Sequence, residues 1–115
     1  MKPKVQFRLR IYHNERIAIG PGKVALLEAI AETGSISAAA RQLGMSYRRA
    51  WILVDEVNRS FNSPAVDTAT GGARGGGAVL TRFGHGLVKR YRALERTAQV
   101  ATAADIRALT RQLAR

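Results

Sequence analysis

The sequence predicts a mainly helical domain with small β-elements, and three observations predict it. Apolar residues three and four apart recur from Lys23 to Phe61 and again from Phe83 to Leu113. Strict alternation of apolar and polar residues is confined to the stretch from Lys4 to Tyr12. A glycine-rich run, Gly71-Gly72-Ala73-Arg74-Gly75-Gly76-Gly77, separates two short stretches of strand character.

In chain order, Val5, Phe7, Leu9 and Ile11 alternate with Lys4, Gln6, Arg8, Arg10 and Tyr12, the period of a half-buried strand. His13-Asn14-Glu15-Arg16 reads as a turn into a short partner strand at Ile17 to Ile19. A two-stranded ribbon is marginal alone, so its apolar face is expected to cover either the helical core or the ribbon of a second subunit. Gly20-Pro21-Gly22 ends the ribbon, and Lys23 to Thr33 follows as a helix with Val24, Leu27, Ile30 and Ala31 on one face. Glu28 and Glu32, four apart on its other side, read as a solvated face and not as a catalytic carboxylate pair.

The next stretch organises the chain. Ser35 can cap a helix in which Ile36, Ala39, Ala40 and Leu43 form one buried face. Gly44 suits the left-handed C-terminal cap, Met45 can pack into the turn, and Ser46 offers a new N-cap two residues later. Ala38, Ala39 and Ala40 are small enough for two helix backbones to cross steeply. The result is a helix-turn-helix whose second helix, running to about Asn62 where Ser63-Pro64 stops it, opens on Ser46, Tyr47, Arg48 and Arg49. Beneath them Ala50, Trp51, Val54, Val57 and Phe61 are expected to form the apolar stripe. Arginine can donate two hydrogen bonds to a guanine edge or pair with phosphate, and serine and tyrosine can bond either.

Val66 to Thr70 and Ala78 to Thr81 then read as a hairpin with a glycine-rich tip. The tip lacks the Lys-Ser/Thr of a nucleotide-binding loop, and a strand follows where that loop needs a helix. A wing that lays Arg74 along a DNA backbone or into a minor groove fits better. Thr81 can cap a helix from Arg82 to about Ala101, striped by Phe83, Leu87, Tyr91, Leu94, Ala98 and Ala101. Ala103 to Ala114 adds Ile106, Leu109 and Leu113, with Thr102 and Asp105 as a capping pair if the chain bends there. So much apolar helix at the end of a small domain predicts a helix–helix dimer contact. The expected organisation is an N-terminal β-ribbon at 1–20, a winged helix-turn-helix core at 21–81, and a long C-terminal dimerisation helix within 82–115.

At 115 residues the chain has room for one domain. Nineteen Lys and Arg against eight Asp and Glu give a formal net charge of +11, which favours a polyanionic partner. Between Arg41 and Arg92 nine cations (Arg41, Arg48, Arg49, Arg59, Arg74, Arg82, Lys89, Arg90 and Arg92) face three acids (Asp55, Glu56 and Asp67), so the charge gathers on the proposed binding half. No apolar run approaches the ~20 residues of a membrane span, and Met1-Lys2-Pro3-Lys4 leads into no signal-peptide block, so a cytoplasmic location and no membrane partner are expected. The absence of cysteine excludes disulfides, thiolate nucleophiles and cysteine-held metals. His13 and His85 lie in unlike contexts as surface or capping residues, and no spacing suggests a metal, cofactor or catalytic centre, so no enzyme is expected.

Gly34-Ser35-Ile36-Ser37, Ser46-Tyr47, Ala50-Trp51, Glu56, Asn58, Thr70-Gly71-Gly72, Gly75 to Thr81 and Gly84 together resemble the N-terminal DNA-binding domain of ModE-type molybdate-responsive regulators, a winged helix-turn-helix close to the LysR type. The match covers about Lys23 to Glu95. The resemblance implies a homodimeric, sequence-specific double-stranded-DNA-binding transcription regulator, with molybdenum-related genes as its targets. It also implies that Ser46, Tyr47, Arg48 and Arg49 read bases or phosphates, that Ser35 and Ser37 belong to the DNA-facing set, and that Arg74 contacts backbone. Full-length members carry a β-rich molybdate-binding module, whereas this chain ends at Arg115 in helical sequence, so no oxyanion-sensing domain of its own is expected. Two rival readings remain open at this point, a sequence-indifferent architectural protein and a module docking acidic proteins; a phosphate-handling enzyme using the glycine loop is disfavoured by the missing Lys and the absent acid/base constellation.

Overall fold

The computed structural model describes residues 2–69 and 77–115. Two antiparallel ribbons and four helices follow one another: β1 (Ile11–His13), β2 (Arg16–Ile19), α1 (Pro21–Thr33), α2 (Ile36–Leu43), α3 (Tyr47–Ser60), β3 (Val66–Ala69), β4 (Gly77–Leu80) and α4 (Arg82–Thr110). Each ribbon is a separate two-stranded sheet.

The helix-turn-helix forms as its caps dictate. The Ser35 hydroxyl accepts from the Ala38 N–H at 2.8 Å and opens α2. Gly44, at φ 68°, closes it in the left-handed region, and the Ser46 hydroxyl accepts from the Arg49 N–H at 3.0 Å to open α3. Each cap contributes about 1 kcal/mol. Thr81 opens α4 in the same way, accepting from the Gly84 N–H at 2.9 Å.

α1 lies at the centre, and its buried residues Lys23, Val24, Leu26, Leu27, Ala29 and Ile30 surround the helix. The single face expected from sequence is therefore too narrow, and Ala31, assigned to it, is exposed. Ile36, Ala39 and Ala40 of α2, Ala50, Leu53, Val54 and Val57 of α3, and Ala65, Val66, Ala78 and Leu80 around the second ribbon complete the core. Ala39 and Ala50, fully buried, let α2 and α3 approach. Met45 packs against this core as expected. Leu43 and Trp51 do not: both are 37% exposed, because each falls just outside the contact between α2 and α3.

The first ribbon is shorter than the alternation suggests. Pairing begins at Ile11 and turns at Asn14, whose φ is 58°, with His13 opposite Arg16 and Tyr12 opposite Ile17. β2 buries Ala18 and Ile19 in the core, then Pro21 starts α1, so residues 2–10 have no ladder partner among the described residues. They run beside α4 instead: the Tyr91 hydroxyl donates to the Leu9 carbonyl at 2.7 Å, and Phe7 sits half-buried beside Leu94 and Ala98. Burial, followed by the nearby Glu95 charge, pushes the Tyr91 phenol above its ordinary pKa and keeps that donor protonated.

α4 is one unbroken helix of 29 residues, about 43 Å long. There is no bend at Thr102, and its hydroxyl donates to the Ala98 carbonyl at 2.6 Å rather than capping with Asp105. Phe83 and Leu87 pack on the core and Tyr91 is buried, whereas the C-terminal half projects and stretches the molecule to 57 × 31 × 24 Å. Glu28 is partly solvated but also paired: Arg92 of α4 donates to it, Nε at 3.0 Å from Oε2, and reaches Glu95 Oε1 at 2.7 Å. Hydrogen bonding to Glu28, then to Glu95, raises the Arg92 pKa above the ordinary guanidinium range, so the clasp between α1 and α4 keeps its charge.

Candidate nucleic-acid interface

Four exposed or cap-forming residues of the expected site come together at the start of α3. Ser46 is the N-cap, Tyr47 is 55% exposed, and Arg48 and Arg49 are exposed on the first turn. Ser37 is exposed on α2, while Ser35 is half-buried and occupied in capping Ala38. Arg74 and the wing tip lie outside the described residues.

α3 divides into faces by its spacing. Ala50, Leu53, Val54 and Val57 turn inward. Arg48, Ile52, Asp55 and Arg59, at four, three and four residues, share an exposed outward face, with Arg59 Nε 3.0 Å from Asp55 Oδ2. Tyr47 and Trp51 meet edge to face on one flank, their ring centroids 6.2 Å apart. Arg49, Leu53 and Glu56 form the other flank. The outward face is 45% exposed at Ile52, an apolar residue with no core to cover. Sequence reasoning missed Ile52, although its position off the repeat of Ala50, Val54 and Val57 was a usable signal.

The second ribbon is fixed to the Tyr47/Trp51 side of α3 by the Asn58 side chain, and to the end of α1 by a backbone bond. The Asn58 carboxamide oxygen accepts from the Ala65 and Val66 N–H groups at 2.8 and 3.1 Å, and its amide donates to the Val66 carbonyl at 3.1 Å. The Ala78 N–H donates to Gly34 O at 3.0 Å, and the Thr81 N–H to Ala65 O at 2.9 Å. The first ribbon is fixed to the opposite flank. Lys23, 5% exposed, donates to the Ile17 carbonyl and pairs with Glu56 Oε1 at 3.2 Å, tying β2 and α1 to α3. A helix with a solvated basic entry is thus held between two β-ribbons, each clamped at its root.

Among the described residues no group of three His, Asp or Glu side chains could hold a metal, and no helix is long and apolar enough to cross a membrane. His13 and His85 are both exposed.

The family model of the bacterial regulatory helix-turn-helix proteins of the lysR family matches residues 22–85, from the start of α1 through the first turn of α4. The chain belongs to this family. Proteins similar to it include the molybdenum-pterin-binding protein MopB of Rhodobacter capsulatus, 52% identical over 67% of this chain and 28% of that protein. The DNA-binding transcriptional dual regulator ModE of Escherichia coli K12 is 38% identical over 88% of this chain and 38% of its own length. The transcriptional regulator ModE of Haemophilus influenzae is 37% identical over 77% of this chain and 35% of its length. The chain therefore spans between about a quarter and two fifths of these relatives, and the lysR-type family resemblance reaches the helix-turn-helix, the wing strands and the start of α4.

Proposed function

We propose that the chain is a sequence-specific double-stranded-DNA-binding transcription regulator that acts in the cytoplasm as a homodimer on molybdenum-related genes. The observation that carries the reading is the exposed, basic first turn of α3, set between two anchored ribbons in a lysR-type helix-turn-helix. In this reading α3 enters the major groove. Arg48 and Arg49 donate to guanine edges or phosphates, Ser46 and Tyr47 bond the flanking strand, and Ile52 meets a thymine methyl. Ser37 approaches the backbone beside α2, and Arg74 approaches it at the wing tip. The link to molybdenum comes from relatives named as a molybdenum-pterin-binding protein and as ModE regulators.

Self-association is supported by apolar residues that one chain leaves uncovered: Val5, Leu9 and Ile11 at the N-terminus are 40–49% exposed, and Leu94, Val100, Leu109 and Leu113 at the C-terminal end are 46–79% exposed. An apolar groove of about 420 Å³ between Ile11, Phe61, Phe83 and Leu94 adds to that surface. A second copy covers such a stripe with the same stripe, as two-fold symmetry requires.

The test compares binding to a selected operator and to random duplex. The R48A/R49A double variant is expected to lose at least ~10-fold of operator preference, since one good bidentate base contact discriminates by about 1–3 kcal/mol. Arg74→Ala is expected to weaken both duplexes alike. Equal losses in the two variants overturn the assignment of roles. A wild-type protein that random duplex displaces as readily as operator is the architectural protein instead.

A further inference from the structure

An open cleft of about 800 Å³ lies between the first ribbon and α3, and five cations reach it: Arg8, Arg10, Arg16, Lys23 and Arg49. Two carboxylates share its lining, Glu15 at the ribbon turn and Glu56 on α3. Lys23 and Glu56 neutralise each other at 3.2 Å, and Lys23 gives a further bond to the Ile17 carbonyl. Arg8, Arg10, Arg16 and Arg49 take part in no ion pair among the described residues; Arg8 donates only to the Gln6 side chain at 3.2 Å. Like charges gathered without counter-ions on a rigid support stabilise nothing within the chain itself. They raise the local potential and favour an anion that can span them.

We propose that the β1–β2 ribbon and the arm leading into it form a second wing, whose Arg8, Arg10 and Arg16 hold backbone phosphates of the duplex strand on the side of α3 opposite β3–β4. The proposal rests on the reading of α3 as the helix that enters the groove. Three features favour duplex phosphates over a small free anion. The cleft is an open trough, and its one buried cation is already occupied by Glu56 and Ile17. It is continuous with α3 through Arg49, so a strand leaving the helix entry passes directly along it. The arginines are spread along the ribbon, Arg8 and Arg10 on the arm that leads into β1 and Arg16 at the start of β2 beside the turn, matching a polyanion that offers one phosphate per ~3.4 Å of axis on each strand. The buried Lys23 clasp holds β2 against α3, so little ordering is needed on contact.

The experiment measures duplex affinity across a salt series for the wild-type chain and for R8A/R10A/R16A, on operator and on random duplex. Each lost phosphate contact lowers the slope of log K against log salt by about 0.9, so the triple variant is expected to fall by about 2 to 3, with operator preference retained. An unchanged slope overturns the proposal, as does loss of operator preference with the slope intact. Arg16→Gln alone, expected to lower the slope by about 1, serves if the triple variant unfolds. Thermal shift with inorganic phosphate identifies the other source of the same chemistry: a shift lost in the triple variant beside an unchanged DNA slope assigns the cleft to a free anion and overturns the duplex contact. Failure of the wild-type chain to bind any duplex removes the underlying reading of α3 itself, a result separable from failure of the ribbon alone.

Discussion

Gly84→Ala is expected to destabilise the protein by about 3 kcal/mol, the upper end of what overpacking costs, and to lower the melting temperature on the order of 10 °C. Gly84 is buried in the first turn of α4, where a Cβ would overlap the Ala65 carbonyl oxygen and lie 3.0 Å from its carbon. That carbonyl cannot withdraw easily, since it accepts from the Thr81 N–H at 2.9 Å while the Thr81 hydroxyl donates to Pro64 O at 2.7 Å. The strain falls on the root of the wing. Gly86→Ala, two residues along the same helix, is the control, because its Cβ meets nothing within 4 Å. It is expected to stabilise by up to about 1 kcal/mol through helix propensity. Opposite signs for two identical substitutions, read by thermal unfolding at one protein concentration, check the packing of α4 on Ala65.

Asn58→Ala is expected to cost a similar amount, about 3 kcal/mol, by urea unfolding. The substitution strips the acceptor from the N–H groups of Ala65 and Val66, which are 0% and 3% exposed, and the donor from the Val66 carbonyl. Water cannot replace the lost partners at such sites without opening the ribbon. Asn58→Asp keeps the acceptor for both N–H groups but sets a carboxylate against the Val66 carbonyl, so an intermediate loss is expected. A loss below about 1 kcal/mol for Asn58→Ala would show that the wing is held by its strands alone.

These two residues also explain how much was legible in the sequence. Gly34, Asn58, Thr81 and Gly84 belong to the motifs that resemble the ModE-type domain; Asn58, Thr81 and Gly84 meet Ala65 at the base of β3–β4, and Gly34 holds Ala78 farther along β4. The family signature is thus largely the chemistry of anchoring a wing. The helix-turn-helix could be read because Ser35, Gly44 and Ser46 act within a few residues of themselves. Features that depend on distant partners could not. Residues 2–10 carry the alternation of a strand, but β2 ends at Ile19 and offers no ladder to pair with, so the segment lies along α4. Glu28 looks solvated until Arg92, 64 residues later, is seen to reach it. Trp51 fits the apolar repeat of α3 yet sits at its margin with Tyr47. In sequence Arg8 and Arg10 are the polar half of an alternation and Arg16 part of a turn, since nothing local reveals that β2 is clamped beside α3.

Operator recognition of the proposed kind requires α3 to present its outward face to a double helix twice, through two copies of the chain. The most direct measurement is selection of bound sites from a random duplex pool, followed by hydroxyl-radical footprinting of the winners. An inverted repeat is expected, with half-site centres about one duplex turn (~34 Å) apart and backbone protection on both sides of each half-site. Recovery of no enriched sequence, or of a single unrepeated motif protected on one side only, would contradict it.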